Sequence, residues 1–347
     1  MSGGQNAEDA EPKHPRGTTV LYGHEAAERA VLEAYRSGRL AHAILIAGPP
    51  GVGKATLAYR IARFILAHPD AAAPAVQAAS SLSVAPDHGV TRRMAAQAQG
   101  DFLVLERTVN EKTGKLRQDI AVDDVRKTVT FFGSTSGAGG WRIALVDAVD
   151  ELNDYGANAL LKILEEPPQK ALLLLVSHSA ARVLPTIRSR CRVMPLRELS
   201  AADIARAAAA ASGREENEPD VLRAAALAEG SVSRALALLS GNTLELRKQI
   251  VALLERLPAV DRQALHGLGD RLYGTDSAML HAFVDAVNGW LAERLRASPK
   301  EPRSLDRIAR IWHDFNQSSR DTETFNLDRK PLVFNLFMEL ADARRAC

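Results

Sequence analysis

Between residues 41 and 178 the chain alternates between unbroken aliphatic runs and segments whose apolar residues recur every three or four positions. The runs are AHAILIAG (41–48), FLVLER (102–107), RIALVDAV (142–149) and ALLLLVSH (171–178). Each has the length of a strand, and the lack of polar alternation predicts strands buried on both faces. The periodic segments predict amphipathic helices. One carries Leu57, Ile61, Phe64 and Ile65. A second, which begins extended, carries Val122, Val125, Val129 and Phe132. A third carries Ala157, Leu160, Leu161 and Leu164 and is stopped by Pro167 and Pro168. Strands alternating with helices predict an α/β domain over 18–198, a parallel sheet covered by helices. Within it, residues 68–100 are rich in Ala, Ser and Pro and read as an irregular insertion with one helical turn. SGAGG (136–140) reads as a turn.

The character changes near Pro195, and from Ser200 on no strand pattern recurs. SAAD (200–203) predicts a helix start with Ser200 as its cap. GREENEP (213–219) is a polar break, and two short helices flank Gly230. These segments predict a small helical domain over 199–241. LELRKQIVALLERL (244–257), AMLHAFVDAVNGWLAERL (278–295) and LVFNLFMELADARR (332–345) then predict an all-α C-terminal domain over 242–347. There is no internal repeat.

At 347 residues the length allows two or three domains. The 44 basic and 42 acidic side chains give a net charge of +2, which does not by itself call for nucleic acid. Any contact with DNA is expected to be local or through partners. The longest apolar runs are far too short to span a membrane. The first 17 residues, MSGGQNAEDAEPKHPRG, have no apolar stretch and read as a disordered tail rather than a secretory signal. Two cysteines, Cys191 and Cys347, predict neither a structural disulfide nor a zinc cluster, as expected of a cytoplasmic protein.

GPPGVGK, residues Gly48, Pro49, Pro50, Gly51, Val52, Gly53 and Lys54, fits G-x-x-x-x-G-K between a strand and a helix. Its glycines let backbone amides turn inward onto phosphate, the helix N-terminus adds positive potential, and Lys54 reaches the outer phosphates. The next residue should carry a hydroxyl for Mg²⁺ but is Ala55. Thr56 does not replace it, because one step along a helix turns a side chain by about 100°. The loop therefore predicts a pocket for ATP or ADP with an impaired metal site. The strand ending at Asp147 supplies the carboxylate expected to hold Mg²⁺ through water. The residue after it is Ala148, which cannot polarise an attacking water. Asp150 lies nearby, with an uncertain aim. Two losses at independent positions predict weak or absent turnover.

NALLKILEEPP (158–168) and LPTIRSRC (184–191), with AHAILIAGPPGVGK and GSVSRAL (230–236), resemble the clamp-loader subunits of bacterial DNA polymerase III, an AAA+ family. The resemblance covers about the first 240 residues by motif and the rest by architecture. Motor subunits of that family are expected to carry intact Lys-Ser/Thr and Asp-Glu pairs. This chain has KA and DA, so it resembles the stationary kind of subunit. The resemblance implies that Arg190 is an arginine finger, pointing out of its own chain to ATP on a neighbouring motor subunit. It places Arg234 as the sensor-2 arginine of the nucleotide site, with a helix-surface ion pair as its other reading. Ser177 and His178 fall where a polar sensor usually ends its strand. Cys191 reads as a small packed residue rather than a nucleophile. Relatives often carry a four-cysteine zinc module after the first helix. The matching stretch here has no cysteine, and His68 with His88 cannot make a structural zinc site. Arg92 and Arg93 of that stretch read as a solvated basic pair or a local DNA contact.

The implied assembly comprises motor and delta-type subunits, a collar of C-terminal helices, and a sliding clamp with primer-template DNA. No carboxylate constellation for nucleotidyl transfer is present, so polymerase chemistry would belong to the assembly. Three other readings stand beside this one. An active ATPase would use Asp150 and Thr56, a phosphotransferase would need an acceptor site, and a scaffold would bind no nucleotide.

Overall fold

The computed structural model describes residues 14–108, 117, 119–133, 140–240, 243–273, 277–297, 302–325 and 327–345. The predicted tail before His14, residues 136–139 of the expected turn and Cys347 lie outside the described residues.

In chain order the elements of the first part are α1 (Glu25–Arg36), β1 (Ala43–Ala47), α2 (Lys54–Ala67), α3 (Pro74–Ala78), α4 (Gly89–Ala95), β2 (Phe102–Glu106), α5 (Val122–Gly133), β3 (Arg142–Asp147), α6 (Asp154–Glu165), β4 (Ala171–Ser177), α7 (Pro185–Arg188) and β5 (Arg192–Pro195). The five strands form one sheet in the order β2-β3-β4-β1-β5, and every pairing is parallel. Side chains alternate across it. Ile44, Ile46, Ile143, Leu145, Leu172 and Leu174 pack with α1, α2 and the insertion. Ala43, Leu45, Ala144, Val146, Leu173 and Leu175 pack with α5 and α6. Both faces are covered, which explains the unbroken aliphatic runs. Burial of each Leu or Ile contributes about 1.5–3 kcal/mol.

Four expectations need correction. The insertion is not irregular. It forms α3 and α4, of which α4 packs on α2, and Val76, Leu82, Val84, Val90 and Met94 join the core. Its backbone is pinned where Leu82 N donates to Glu28 Oε1 at 2.7 Å and where Arg36 Nε donates to Val76 O at 2.8 Å. Tertiary contacts override a loop-like composition there. Second, the end of the predicted tail is held in place. Pro15–Gly17 form a 3-10 turn, and buried Arg63 donates to Arg16 O and Thr18 O. Third, Val129 is exposed, and Thr128 takes its place on the buried face of α5 beside Val125 and Phe132. Fourth, β5 is a strand that the pattern did not announce. Only Met194 of its four residues is buried, as befits a short edge strand.

The remaining elements are helical: α8 (Ala201–Ser212), α9 (Pro219–Leu227), α10 (Val232–Leu239), α11 (Thr243–Glu255), α12 (Arg262–Arg271), α13 (Ser277–Ala297), α14 (Pro302–Thr324) and α15 (Arg329–Arg345). Ser200 caps α8, its Oγ accepting from Asp203 N at 3.1 Å. The chain divides into two compact units, with the boundary along the chain between Leu236 and Ala237. The second has its own core, in which Leu246, Ile250, Phe283, Val287, Leu291, Val333 and Phe337 are buried. None of the described helices is long and apolar enough to cross a membrane.

Candidate functional site

The phosphate loop runs from β1 to α2 as its spacing predicts. Gly51 (φ +76°) and Gly53 (φ +97°) are left-handed, a conformation that favours glycine. Gly53 sits at the N-terminus of α2, so the backbone can wrap an anion there. Val52 is buried, and its carbonyl accepts from His24 Nε2 at 2.8 Å.

Lys54 is turned inward. Its Nζ donates to Gly48 O at 2.7 Å and Pro49 O at 2.6 Å, and the residue is 4% exposed. Burial pulls its ammonium below the usual lysine range, opposed by the charges of Asp147 and Asp150. The loop is also flanked by the residues at the start of α10. Val232 N donates to Gly51 O at 2.8 Å, and a Cβ on Gly51 would collide with Ser231 Oγ. Neither contact has a signature in the sequence, because each joins residues far apart along the chain.

Asp147 ends β3 beside the loop. Burial raises its carboxyl above the usual range, with His178 and Lys54 pulling the other way. In register beside it on β2 is Glu106, a carboxylate that motif reasoning did not single out. Asp150 lies on a 3-10 turn (Val149–Glu151), and both its oxygens accept from His178 N at 3.2 Å. A carboxylate tied to a backbone amide is not aimed at a water over the loop, which weighs against Asp150 standing in for the residue at 148. Ala148 is buried. Ser177 is fully buried, its Oγ accepting from Ser179 N. His178 approaches Glu151 at 4.0 Å, and Glu151 pairs with Arg107 at 2.7 Å. Ala55 and Thr56, half-buried, lie in the first turn of α2. Arg234 pairs with Glu229 at 2.6 Å, so its guanidinium is engaged on the surface of its own segment.

Arg190 is placed quite differently. It follows α7, whose start is set by Pro185, and precedes β5. Its Nη1 donates to Thr186 O at 2.9 Å, and its Nη2 meets Glu165 Oε1 at 2.9 Å. Both side chains are exposed, 37% for Arg190 and 52% for Glu165. Cys191, next to it, is half-buried, and burial pushes its thiol up to about 11, so it is a protonated packing group. Arg92 and Arg93 are exposed on α4, and Arg93 Nε donates to Gln99 Oε1 at 2.7 Å. His68 and His88 stand with ring centroids 6.4 Å apart. Among the described residues no three His, Cys, Asp or Glu side chains cluster to hold a metal ion.

A phosphate loop on β1, separated by β4 from the strand that ends in Asp147, with helices on both faces of the sheet and helical segments after it, defines a P-loop α/β protein of the AAA+ type. Residues 23–200 match the family model described as DNA polymerase III, delta subunit, and the chain belongs to that family. A Pseudomonas aeruginosa protein called DNA polymerase III subunit delta' is 40% identical over 151 residues, 44% of this chain and 42% of that protein. The matched region thus spans less than half of that relative. An Escherichia coli K12 protein of the same name is 29% identical over 283 residues, 81% of this chain and 76% of that protein. A Mycobacterium tuberculosis H37Rv protein called DNA polymerase III subunit gamma/tau is 31% identical over 188 residues, 53% of this chain and 29% of that protein.

Proposed function

We propose that this chain is a delta-prime-type stator of the DNA polymerase III clamp loader. It helps place a sliding clamp on primed DNA and lends Arg190 to ATP held by a neighbouring motor subunit. The partners implied are motor and delta-type subunits directly, and the clamp and primer-template DNA through the assembly. The observation that carries this reading is the exposed guanidinium of Arg190, held among the described residues by a surface carboxylate and a backbone carbonyl. A guanidinium stays charged and can bridge two phosphate oxygens, so a finger in this position serves a site outside its own chain.

The chain's own loop keeps the fold of a nucleotide site with little of its chemistry. Ala55 offers no metal ligand, Ala148 no general base, and Lys54 is bonded to loop carbonyls. If ATP or ADP enters, Gly48 to Thr56 would wrap its phosphates. Asp147 would hold Mg²⁺ weakly, and Arg234 would first have to leave Glu229. Hydrolysis by this chain is therefore weak or nil.

The test is reconstitution with motor subunits, clamp and primed DNA. Arg190→Ala is expected to lower ATP turnover at the site it serves by about 10³-fold while assembly stays intact. Unchanged turnover in a fully assembled complex would overturn the reading, as would brisk Mg²⁺-dependent hydrolysis by the isolated chain.

A further inference from the structure

We propose that Glu165 is a positioning residue for Arg190. It holds the guanidinium in the orientation in which a neighbour's phosphate meets it, and it yields one N–H when the phosphate arrives. The inference rests on the reading of Arg190 given above.

Glu165 is the last residue of α6, and a helix C-terminus is the wrong end for a carboxylate. The unsatisfied carbonyls there carry partial negative charge and favour a cation. Local helix energetics therefore do not explain an acidic residue at 165. The guanidinium 2.9 Å away does. Both supports of that guanidinium are themselves fixed. Pro167 and Pro168 stop the chain just after α6, and Pro185 starts α7, whose Thr186 carbonyl takes Nη1. Arg190 is thus gripped from two elements, with one contact on each Nη. Its other N–H donors lie outside these two contacts, and they can meet an anion.

The strength of the grip suits such a role. Both partners are exposed, and a solvated ion pair of this kind is a weak tether. It narrows the rotamers of a long side chain without locking them. A multiply charged phosphate outcompetes a single carboxylate for the same donors. Orienting a catalytic group before the substrate meets it raises the rate through geometry, not through affinity.

The experiment uses the full chain assembled with motor subunits, clamp and primed DNA, with kcat and KM for ATP measured separately. Glu165→Ala is expected to lower kcat about tenfold with KM unchanged and the complex intact by size exclusion. Glu165→Gln keeps an acceptor oxygen of the same reach and is expected to restore kcat to within about twofold of wild type. In an Arg190→Ala background, Glu165→Ala is expected to have no further effect, because it acts only through that side chain. If Arg190→Ala slows turnover and Glu165→Ala does not, the positioning role fails and the finger stands. If Glu165→Ala slows turnover equally with and without Arg190, or blocks assembly, the residue acts in docking and the inference is overturned. If Arg190→Ala itself leaves turnover unchanged, the reading beneath it fails, and this one with it.

Discussion

The phosphate loop and the Arg190 turn each present a cation, and they are built in opposite ways. At the loop the cation is folded inward. Lys54 is 4% exposed, its charge disfavoured by burial, and its Nζ bonded to two carbonyls of its own loop. At the turn the cation is outward, solvated, and tied by a pair that exposed groups make and break readily. On the proposed reading, the contrast is that of a receiving site retired without loss of the fold. The glycines and the lysine keep the loop's shape, while the two positions at which hydrolysis calls for a hydroxyl and a carboxylate are Ala55 and Ala148. The proposed donating side needs only a charged fork on a turn, and Arg190 supplies one.

The largest expected effect tests this asymmetry head on. In the assembled complex Arg190→Ala should cost about 10³ in turnover at the site served, whereas Lys54→Ala should leave turnover within about twofold. Parallel kcat measurements on the two variants decide it. Equal losses would mean that the loop is a working site after all.

Next in size is a stability effect at the loop. Gly51 is left-handed, and a Cβ there would strike Ser231 Oγ and crowd Ser233. Gly51→Ala is expected to destabilise by about 3 kcal/mol, from strain plus overpacking. Gly213, also left-handed (φ +74°) but with nothing near its Cβ position, supplies the control. Its alanine variant should lose only about 1 kcal/mol. Urea denaturation of both compares them. Equal losses would show that the start of α10 does not bear on the loop.

A smaller effect concerns pH. Burial raises the Asp147 carboxyl, so the folded protein binds that proton more tightly than the unfolded chain does. The stability it contributes is present in full below the ordinary carboxylate range and is lost as pH rises through the elevated value. Asp147→Asn stays neutral throughout. It should melt a few degrees above wild type at neutral pH and converge with it in acid. Thermal melts across pH read the difference. A carboxylate kept for magnesium in an open, wet site would give no such gain.

Much of this architecture was legible because its signals are local. Four strands announced themselves as aliphatic runs, since a strand covered on both faces has no polar side. The loop showed itself by glycine spacing, and α8 by Ser200. What escaped depends on residues distant in sequence. β5 buries only Met194 and looks polar when read alone. The insertion looks like a loop until Glu28 accepts from the Leu82 amide and five apolar side chains reach the core. Glu165 had one visible clue, a carboxylate at the end of a helix where the dipole disfavours it. The contact of Gly51 with Val232 had none.

The smallest expected effect is at Arg234, which the family pattern places over the outer phosphates. Here it pairs with Glu229 at 2.6 Å, and Glu229 is largely exposed. An arginine engaged on its own segment has no transition-state charge to meet while Lys54 of the loop is turned inward. Arg234→Ala should therefore leave turnover of the assembly within about twofold. Loss of a surface pair should also shift stability by no more than about 0.5 kcal/mol. A large fall in turnover would mean that Arg234 leaves Glu229 for a nucleotide in this chain's own site. The loop would then be a site that opens within the ring, and the contrast with Arg190 would be one of state instead of construction.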